Sequence, residues 1–423
     1  MPTSSSNEGQ QDDTSLPTVP VVVRWGILGT GAIATDMVQI LQQLPACEVV
    51  AIGSRSSTSA RNFGTKWSIP ATGWYASYEE VCHDPLVDVV YVATPSLRHP
   101  DDCRLALRSH KAVLCEKSMA PNYHQAQEVL AYAQQQQCLF VHGVWSRFFP
   151  VMHELRSLIT SGTIGTVYSA RASFGQNDGA GSCSALLETG IYCAQFLQWV
   201  LSSSSSSSAT DDDEQPTTIV VRGACRRNAV GTELDEHVTA VLEFPQGKMG
   251  TLECSLGHCT DRSAAVYGTH GIIEIPFPFW CPTQLKVTTM TGPGSQTFAC
   301  LPPTSTSTNS NSHSNSHRTE DGMQEFPLPA GVRPLQPVVL AEESSSDQKE
   351  TTTTTTTSAT AVPPPAPAFT FVNSAGLTYE AAEVNRCVRE GLLETPLFTS
   401  DECLDVMRII TEIDTISRRG TNE

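Results

Sequence analysis

The feature that most constrains the fold of this chain is a glycine-rich turn close to its start. Residues 21–28 form an apolar run typical of a buried parallel strand, and an apolar helical pattern follows the turn to about residue 44. The turn has the spacing Gly29-x-Gly31-x-x-Ala34. Between a strand and a helix, the first glycine permits a tight turn, the second lets a pyrophosphate approach the backbone, and the alanine allows close packing. This context favours a dinucleotide site over an ordinary glycine turn.

The start of the helix after this turn is the predicted anion site. The first amides of a helix have no acceptor within the helix, so they are available to bind phosphate. We therefore expect Gly29, Thr30, Gly31, Ala32 and Ile33 to hold the pyrophosphate of a nicotinamide dinucleotide.

Two patterns of secondary structure divide the chain. From residue 21 to about 142, strand-like and helix-like runs alternate, which indicates a parallel sheet because parallel strands need crossover connections. After residue 151, strand-like runs mostly follow one another directly, which is typical of antiparallel β structure. The predicted fold is α/β: an N-terminal Rossmann domain with a doubly wound parallel sheet at 21–150, and a C-terminal α+β domain with a largely antiparallel sheet at 151–423.

Several segments are predicted to be disordered, because their composition cannot bury enough apolar surface to order the chain. They are an N-terminal tail at 1–20 and low-complexity insertions near 202–214, 302–320 and 342–367. Loops tolerate such insertions at little free-energy cost, so we expect them to interrupt the C-terminal domain without adding a functional module.

Composition and charge exclude several classes of protein. The chain has 44 acidic and 26 basic residues and a net charge of −18, which argues against a nucleic-acid partner. The sequence has no apolar run near the about 20 residues that span a bilayer, and its polar N-terminus is not a signal peptide. The 14 cysteines include no CxxC pair, so we expect buried thiols and no metal site. A cytoplasmic protein without a membrane or nucleic-acid partner is predicted.

The end of the second predicted strand, at residues 48–53, indicates which dinucleotide binds. An Asp or Glu there would bind the ribose hydroxyl of NAD, whereas NADP needs a cation for its 2′-phosphate. The chain has Ser54 and Arg55 at this point and no acid. A guanidinium matches phosphate geometry, so the pattern favours NADP. The alternative is that Arg55 is an ordinary exposed loop charge.

Two further segments carry side chains that could take part in catalysis. Glu116 and Lys117 directly follow an apolar strand, at the sheet edge where open α/β folds bind ligands. Glu188 and Tyr192 lie four residues apart in a helical pattern, so they share one face. On position alone, Lys117 could equally be a surface charge and Tyr192 a core residue.

Together these residues resemble the Gfo/Idh/MocA oxidoreductase family, over about 21–300 and 376–419. The resemblance is strongest to the branch that contains dimeric dihydrodiol dehydrogenases and NADP-dependent D-xylose 1-dehydrogenases. The residues that carry it are Gly26–Ala34, Thr94-Pro95, Glu116-Lys117, Trp145–Pro150, Leu186–Phe196, Tyr267–Gly271, Pro278–Pro282 and Tyr379–Glu383.

The resemblance implies roles for individual residues. Lys117 would contact the nicotinamide ribose and the substrate hydroxyl, Tyr192 would transfer the proton, and Glu188 would act beside them. Cofactor contacts are also implied for Thr94, Pro95, His99, Glu116, Trp145 and Arg147. Two residues depart from the family pattern: Ser118 stands where the family has proline, and Glu188 where it commonly has aspartate.

The expected function is oxidation, by a homodimer, of a hydroxyl of an aldose such as D-xylose or of a trans-dihydrodiol, with hydride transfer to NADP. We expect the Lys117 ammonium to lower the pKa of the Tyr192 phenol, so that the phenolate accepts the hydroxyl proton. One alternative is a dehydrogenase of the same family that acts on another polyol or sugar derivative. The other is an inactive NADP-binding regulator, which would be expected to lack this Lys–Tyr pair.

Overall fold

The computed structural model describes two β-sheets and the helices that flank them. The described residues are 21–177, 184–202, 216–229, 232–290, 292, 298–300, 316–319, 321–335 and 368–419. The predicted tail at 1–20 lies outside these residues. So do the predicted insertions at 202–214, 302–320 and 342–367, apart from residues 202 and 316–319.

The first sheet contains six parallel strands in the order β3-β2-β1-β4-β5-β6. They are β1 Val23–Leu28, β2 Cys47–Gly53, β3 Trp74–Tyr75, β4 Val89–Val92, β5 Ala112–Glu116 and β6 Phe140–Gly143. The strand order reverses between β1 and β4. In open α/β sheets, ligands bind at such a point, in the crevice outside the carboxyl ends of the strands.

The helices of this domain are α1 Ala32–Leu41, α2 Ser57–Lys66, α3 Tyr78–His83, α4 His99–Arg108 and α5 Tyr123–Gln135. The side chains of Ser56, Ser77 and Asn122 begin three of them by accepting hydrogen bonds from backbone amides three residues further on. The predicted alternation of strands and helices is confirmed. Strand β3 and helix α3 were not predicted, because they are too short to show a hydrophobic period.

The second sheet is mixed and mostly antiparallel, as the strand-like runs predicted. Its strands are β7 Val167–Gly175, β8 Thr218–Ala229, β9 Thr232–Phe244, β10 Lys248–Ser255, β11 Ala264–Gly268, β12 Gly271–Ile275, β13 Gln284–Met290, β14 Phe298–Cys300, β15 His317–Arg318 and β16 Met323–Glu325. Their order is β15-β16-β13-β12-β11-β7-β10-β9-β8, with β14 paired to β13. Among the described strands of this second sheet, only the pairing of β7 with β10 is parallel.

Two helices follow the first sheet, α6 Pro150–Thr160 and α7 Ile191–Leu201, and α7 packs on one face of the second sheet. Gly250 of β10 faces α7, and a Cβ at this position would lie 3.1 Å from the Leu201 side chain. Because side chains alternate along a strand, Glu253 points to the opposite side. We call that side the outer face.

The C-terminal helices α8 Leu377–Glu390 and α9 Ser400–Arg419 return to the first domain. The indole nitrogen of Trp25 in β1 donates to Oδ1 of Asn385 in α8 at 3.0 Å, and both side chains are buried. This long-range hydrogen bond fixes α8 against the parallel sheet.

A second long-range contact centres on Asp36 of α1, which is fully buried. Its carboxylate accepts hydrogen bonds from the backbone amides of Thr370 and Phe371 and from the hydroxyl of Ser374, at distances of 2.6–3.1 Å. The carboxylate therefore holds the segment before α8 next to the glycine turn.

Within the part of the chain that is described, no helix has the length and apolar character that a membrane span requires. The described cysteines are free thiols, and most of them are buried.

Replacing Asp36 with Ala should lower the free energy of unfolding by about 1–3 kcal/mol, because partly buried amides lose their acceptor. Chemical denaturation measures this change. Glu412→Ala, at an exposed position of α9, is the control and should change stability by about 0.5 kcal/mol or less. Equal effects of the two substitutions would contradict the anchoring role of Asp36.

Candidate active site

A cavity of about 550 Å³ lies between the carboxyl ends of the parallel strands and the end of β7. This volume suits a small organic ligand. The lining comes from both domains and from the segment before α8: Ala32, Ile33, Thr94, Pro95, Ser96, His99, Glu116, Lys117, Gly143, Trp145, Phe174, Gln176, Glu188, Thr189, Tyr192, Arg262, Trp280, Thr370, Phe371, Val372 and Leu377.

The glycine turn has the geometry that a diphosphate requires. Gly29 adopts φ of 106°, and a Cβ there would lie 2.5 Å from the carbonyl oxygen of Ala93. Gly31 precedes α1, and a Cβ at Gly31 would meet no atom within 4 Å. Ala32 and Ile33 line the cavity. Open space in front of an uncapped helix start fits an anionic group.

The cavity lining does not include five of the predicted cofactor residues in the glycine turn and at the end of β2, namely Gly29, Thr30, Gly31, Ser54 and Arg55. The backbone amide of Gly29 donates to the carbonyl of Gly53 at 3.0 Å, so the end of β2 lies beside the glycine turn. Ser54 is buried and Arg55 is exposed. In Rossmann folds this edge of the sheet receives the adenosine ribose of the dinucleotide.

His99 connects the loops that follow β4 and β5. Its Nδ1 and Nε2 each lie 2.8 Å from a backbone carbonyl oxygen, of Ser118 and Thr94 respectively. Burial lowers the pKa of this imidazole, and a neutral ring can donate to one of the two carbonyls. Thr94 in turn donates to buried Asp102 at 2.7 Å. The peptide bond between Lys117 and Ser118 is cis.

Lys117 is the point at which polar groups of the two domains meet. Its Nζ lies 2.6 Å from Oε1 of Glu188 and 3.2 Å from the Glu188 backbone oxygen. The same nitrogen lies 5.8 Å from the centre of the Tyr192 ring. Glu188 belongs to a π-helical turn, Leu186–Gly190, that leads into α7, and such turns are frequent at functional sites. The three residues predicted to be catalytic therefore line one cavity.

The prediction that Lys117 lowers the pKa of Tyr192 is wrong. Tyr192 is only 6% exposed, and burial raises the pKa of its phenol well above the ordinary value, with the Glu116 and Glu188 carboxylates adding to the effect. The Lys117 ammonium is paired with Glu188, which offsets its charge. Tyr192 is therefore a neutral phenol at neutral pH.

Two buried carboxyl groups lie behind this trio. The Tyr91 hydroxyl donates to Oε1 of Glu116 at 2.5 Å, and the Lys117 amide donates to Oε2 at 3.2 Å. Glu380 of α8 is fully buried, and its carboxyl oxygens have no hydrogen-bond partner among the described residues. Burial and the neighbouring Glu116 raise the pKa of Glu380 well above the ordinary value. Glu380 is therefore protonated and uncharged at neutral pH.

Trp145 lines the cavity, whereas Arg147 does not. The Arg147 guanidinium is buried between the rings of Trp199 and Phe398, 4.6 Å from each ring centre, and donates to Oε1 of Glu402 at 2.6 Å. The predicted cofactor contact of Arg147 is corrected accordingly. The short turn that carries both residues directs Arg147 towards α9, and its side chain anchors that helix.

An aromatic wall, formed by Phe174 and Trp280, lies beside Tyr192. The rings of Phe174 and Trp280 stack with their centres 4.0 Å apart, and the Phe174 ring centre is 5.8 Å from that of Tyr192. Arg262 also lines the cavity, with its guanidinium 5.9 Å from the Trp280 ring. Flat apolar surfaces next to polar groups suit a ring-shaped ligand that carries hydroxyls.

Sequence reasoning assigned no role to the aromatic wall, Arg262 or Glu380. The wall and Arg262 come from separate strands and loops, so no local pattern links them. Glu380 did carry a signal, because it lies on the same helical face as the buried Leu377, Ala381 and Val384. An acid on the buried face of an amphipathic helix indicates a carboxyl that has either a hydrogen-bonded partner, as Glu383 has in Arg386, or a raised pKa.

Comparison with known protein families covers both domains. Residues 23–144 match the model described as an oxidoreductase family with an NAD-binding Rossmann fold, and residues 152–274 match the GFO/IDH/MocA C-terminal domain. The chain belongs to the Gfo/Idh/MocA oxidoreductase family. The resemblance drawn from the motifs is thereby confirmed, and the glycine turn belongs to an NAD(P)-binding Rossmann domain.

Relatives match the chain over most of its length. Proteins named trans-1,2-dihydrobenzene-1,2-diol dehydrogenase from Homo sapiens and Bos taurus are 31% and 30% identical over 403 residues, covering 93% of this chain and 96% of each relative. Among solved structures, a 3-ketoreductase from Actinomadura kijaniata in complex with NADP has a TM-score of 0.63 at 20% identity, covering 93% of this chain and 97% of that one. An aldose-aldose oxidoreductase from Caulobacter crescentus has a TM-score of 0.64 at 18% identity, covering 94% and 98%. These two structures support the fold.

Replacing Glu380 with Gln tests whether this carboxyl is uncharged. Because folding raises its pKa, the folded state keeps the proton while the unfolded chain releases it, so Glu380 destabilises the fold increasingly as pH rises. Between about pH 5 and 8, the free energy of unfolding of the wild type should fall relative to that of Glu380→Gln, by up to about 1.4 kcal/mol per pH unit. Denaturation at several pH values measures the difference.

The control for this experiment is Glu412→Gln, an exposed position on α9, which should keep the wild-type pH dependence. If Glu380→Gln and the wild type showed the same slope of stability against pH, the carboxyl would not be protonated in the fold.

Proposed function

We propose that the chain is an NADP-dependent dehydrogenase that oxidises a hydroxyl of an aldose or of a trans-dihydrodiol. The observation that carries the proposal is that an ammonium, a carboxylate and a phenol (Lys117, Glu188 and Tyr192) line the same cavity as Ala32 and Ile33, the first helical residues after the glycine turn. A protein that only senses a dinucleotide has no need of these three groups together. The arrangement therefore favours catalysis over the inactive regulator.

The chain's own residues would position the substrate and move its proton. The nicotinamide, when bound, supplies the hydride acceptor. Lys117, held by Glu188 at 2.6 Å, donates a hydrogen bond to the substrate oxygen and stabilises the negative charge that develops there. Tyr192 exchanges the proton with the same oxygen.

The raised pKa of Tyr192 determines how the rates of substrate oxidation and of the reverse reduction depend on pH. As a neutral phenol, Tyr192 can donate a proton to a carbonyl oxygen, so reduction proceeds at neutral pH. In the oxidative direction the phenol must first lose its own proton. The value of kcat/KM for oxidation should therefore increase as the pH rises.

NADP is the proposed cofactor because of Ser54 and Arg55. The exposed guanidinium follows β2 beside the glycine turn, and no acid stands between residues 51 and 60. A carboxylate there would repel a 2′-phosphate, whereas a guanidinium can bind it through two parallel hydrogen bonds.

The aromatic wall supports a cyclic substrate. Stacked Phe174 and Trp280 rings offer a flat apolar surface, and Arg262 and Glu188 add polar groups at the same end of the cavity. Both an aldopyranose such as D-xylose and a trans-dihydrodiol combine a ring with adjacent hydroxyls. The dihydrodiol is also the substrate named for the relatives, and D-xylose remains our preferred aldose.

We also propose that the chain forms a homodimer in a reducing cytoplasm, through the end of the outer face of the second sheet that carries Val220 and Met249. Val220 and Met249 on this face are 37% and 39% exposed, and a second copy would bury them. The free thiols of the described cysteines suit a reducing compartment. The proposed domain boundary stays near residue 150, with the NADP domain at 21–150 and the substrate domain at 151–423.

Replacing Tyr192 with Phe tests the proton-transfer role. The variant should lose about 100-fold to 10,000-fold in kcat for the substrate it oxidises, and kcat/KM should no longer rise with pH. Its Kd for NADP should stay within about twofold of the wild type, because only the phenol oxygen is removed. Rates of NADP reduction with D-xylose, D-glucose and a trans-dihydrodiol measure the effect.

The matched control is Tyr168→Phe, an exposed tyrosine on β7, which should keep wild-type rates. Retention of more than about a tenth of the wild-type kcat in Tyr192→Phe would reject Tyr192 as the proton-transfer group, since acid–base catalysis contributes far more than this. A wild type that binds NADP and turns over none of the three compounds would favour the regulator.

Replacing Arg55 with Ala tests the choice of cofactor. The Kd for NADP should rise by about 10-fold to 100-fold, because a charge-assisted hydrogen bond to the 2′-phosphate is lost. The Kd for NAD should stay unchanged, since NAD lacks this phosphate. Cofactor titrations followed by tryptophan fluorescence measure both constants. Arg61→Ala, an exposed arginine on α2, is the control. An equal loss for both cofactors, or no loss for NADP, would contradict the phosphate contact.

A further inference from the structure

We propose that His237, Glu253 and His258 form a binding site for a divalent metal ion, with Zn²⁺ as the best match, on the outer face of the second sheet. His237 lies on β9, Glu253 on β10, and His258 in the segment that follows β10. None of the three lines the cavity, so this site is separate from the proposed reaction. The sequence predicted no metal site, because only the pairing of β9 with β10 brings these residues together.

The ligand atoms of the three side chains converge. The Nε2 atoms of His237 and His258 lie 3.7 Å and 3.6 Å from the same oxygen, Oε1 of Glu253. One ligand atom from each residue lies within 4.8 Å of the other two. Bonds of about 2.0–2.2 Å in a tetrahedral zinc site hold neighbouring ligand atoms about 3.3–3.6 Å apart. The two distances to Oε1 of Glu253 are already close to this range, and the histidine rings would move together to bind the ion.

The chemistry of the set also fits zinc. Two imidazoles and one carboxylate are a combination that three-ligand zinc sites use, with a fourth position left for water. The side chains are between about one quarter and one half exposed, at 29% for His237, 37% for Glu253 and 47% for His258, so an ion has a path from solvent.

Neighbouring hydroxyl groups orient two of the ligands. The Ser255 hydroxyl lies 3.0 Å from Nδ1 of His258, which leaves Nε2 of that ring facing Glu253. Ser173 donates to Oε2 of Glu253 at 3.3 Å, which leaves Oε1 for the ion. Outer-shell hydrogen bonds of this kind fix the tautomer and direction of metal ligands.

Zinc binding would replace one hydrogen-bond partner of His237. Its Nε2 lies 3.2 Å from the Thr239 hydroxyl, and its ring meets that of His258 edge to face with the centres 4.7 Å apart. Zinc would replace the hydroxyl at this nitrogen, and Thr239 would turn to solvent on the outer face.

A metal ion here would stabilise the segment that leads to the substrate end of the cavity. His258 belongs to residues 256–263, and within this segment the Thr260 amide donates to the carbonyl of Gly175 at the end of β7. Arg262, two residues later, lines the cavity. Fixing His258 to β9 and β10 would therefore restrict the loop that carries Arg262.

Zinc titration of the full chain carrying Cys259→Ser tests the proposal, because this substitution removes the exposed thiol next to His258. Competition with a chromophoric chelator should reveal one Zn²⁺ per chain. In this background, Glu253→Gln and His258→Ala should each weaken binding by about 100-fold or more, since each removes one of three ligands. His124→Ala should have no effect, because His124 on α5 is paired with a single carboxylate, Glu128.

Hydrogen exchange gives a second readout that does not depend on activity. Amide exchange in residues 256–263 should slow when Zn²⁺ is added to the Cys259→Ser chain and stay unchanged in His258→Ala. An unaltered Kd for NADP in each variant verifies that it is folded. Equal zinc affinity with and without the two ligand substitutions, or no bound zinc at about millimolar concentration, would overturn the proposal and leave a hydrogen-bonded surface cluster.

Discussion

The ion pair between Lys117 and Glu188 joins the two domains at the point where the chemistry is proposed. Lys117 directly follows β5, and Glu188 lies in the π-helical turn before α7, with 2.6 Å between the charged atoms. The Lys117 side chain is only 15% exposed, so the pair is less screened by water than a surface ion pair. A shift of one domain against the other would separate the two groups. The position of Tyr192, one helical turn further on, depends on the same contact.

Carboxyl groups near this ion pair determine the protonation state of Tyr192. Glu116 and Glu188 both raise the pKa of Tyr192, and Glu380 avoids ionisation by keeping its proton. This arrangement keeps the Tyr192 phenol neutral beside the Lys117–Glu188 ion pair. The oxidised nicotinamide ring carries a positive charge, which such carboxylates would stabilise. The same groups therefore account for the expected rise of oxidation with pH.

The sequence predicted the parts of this site that rest on local pattern. The Gly29 turn has a fixed spacing between a strand and a helix, and Lys117 and Tyr192 follow from their places in the family motifs. The sequence could not predict properties that depend on which residues pack together in the folded chain. The pKa of Tyr192 is set by burial and by carboxylates distant in sequence, and Arg147 faces α9 and not the cavity. The lack of a hydrogen-bond partner for the Glu380 carboxyl among the described residues likewise results from packing between α8 and the sheet.

The proposed function requires direct hydride transfer from a substrate carbon to a nicotinamide held at the glycine turn. A substrate deuterated on the carbon that bears the reacting hydroxyl tests it most directly, with mass spectrometry of the reduced cofactor. With direct transfer, NADPH gains the deuterium and turnover slows for the labelled compound. Unlabelled NADPH from a labelled substrate would contradict it, because the hydrogen would then have come from solvent.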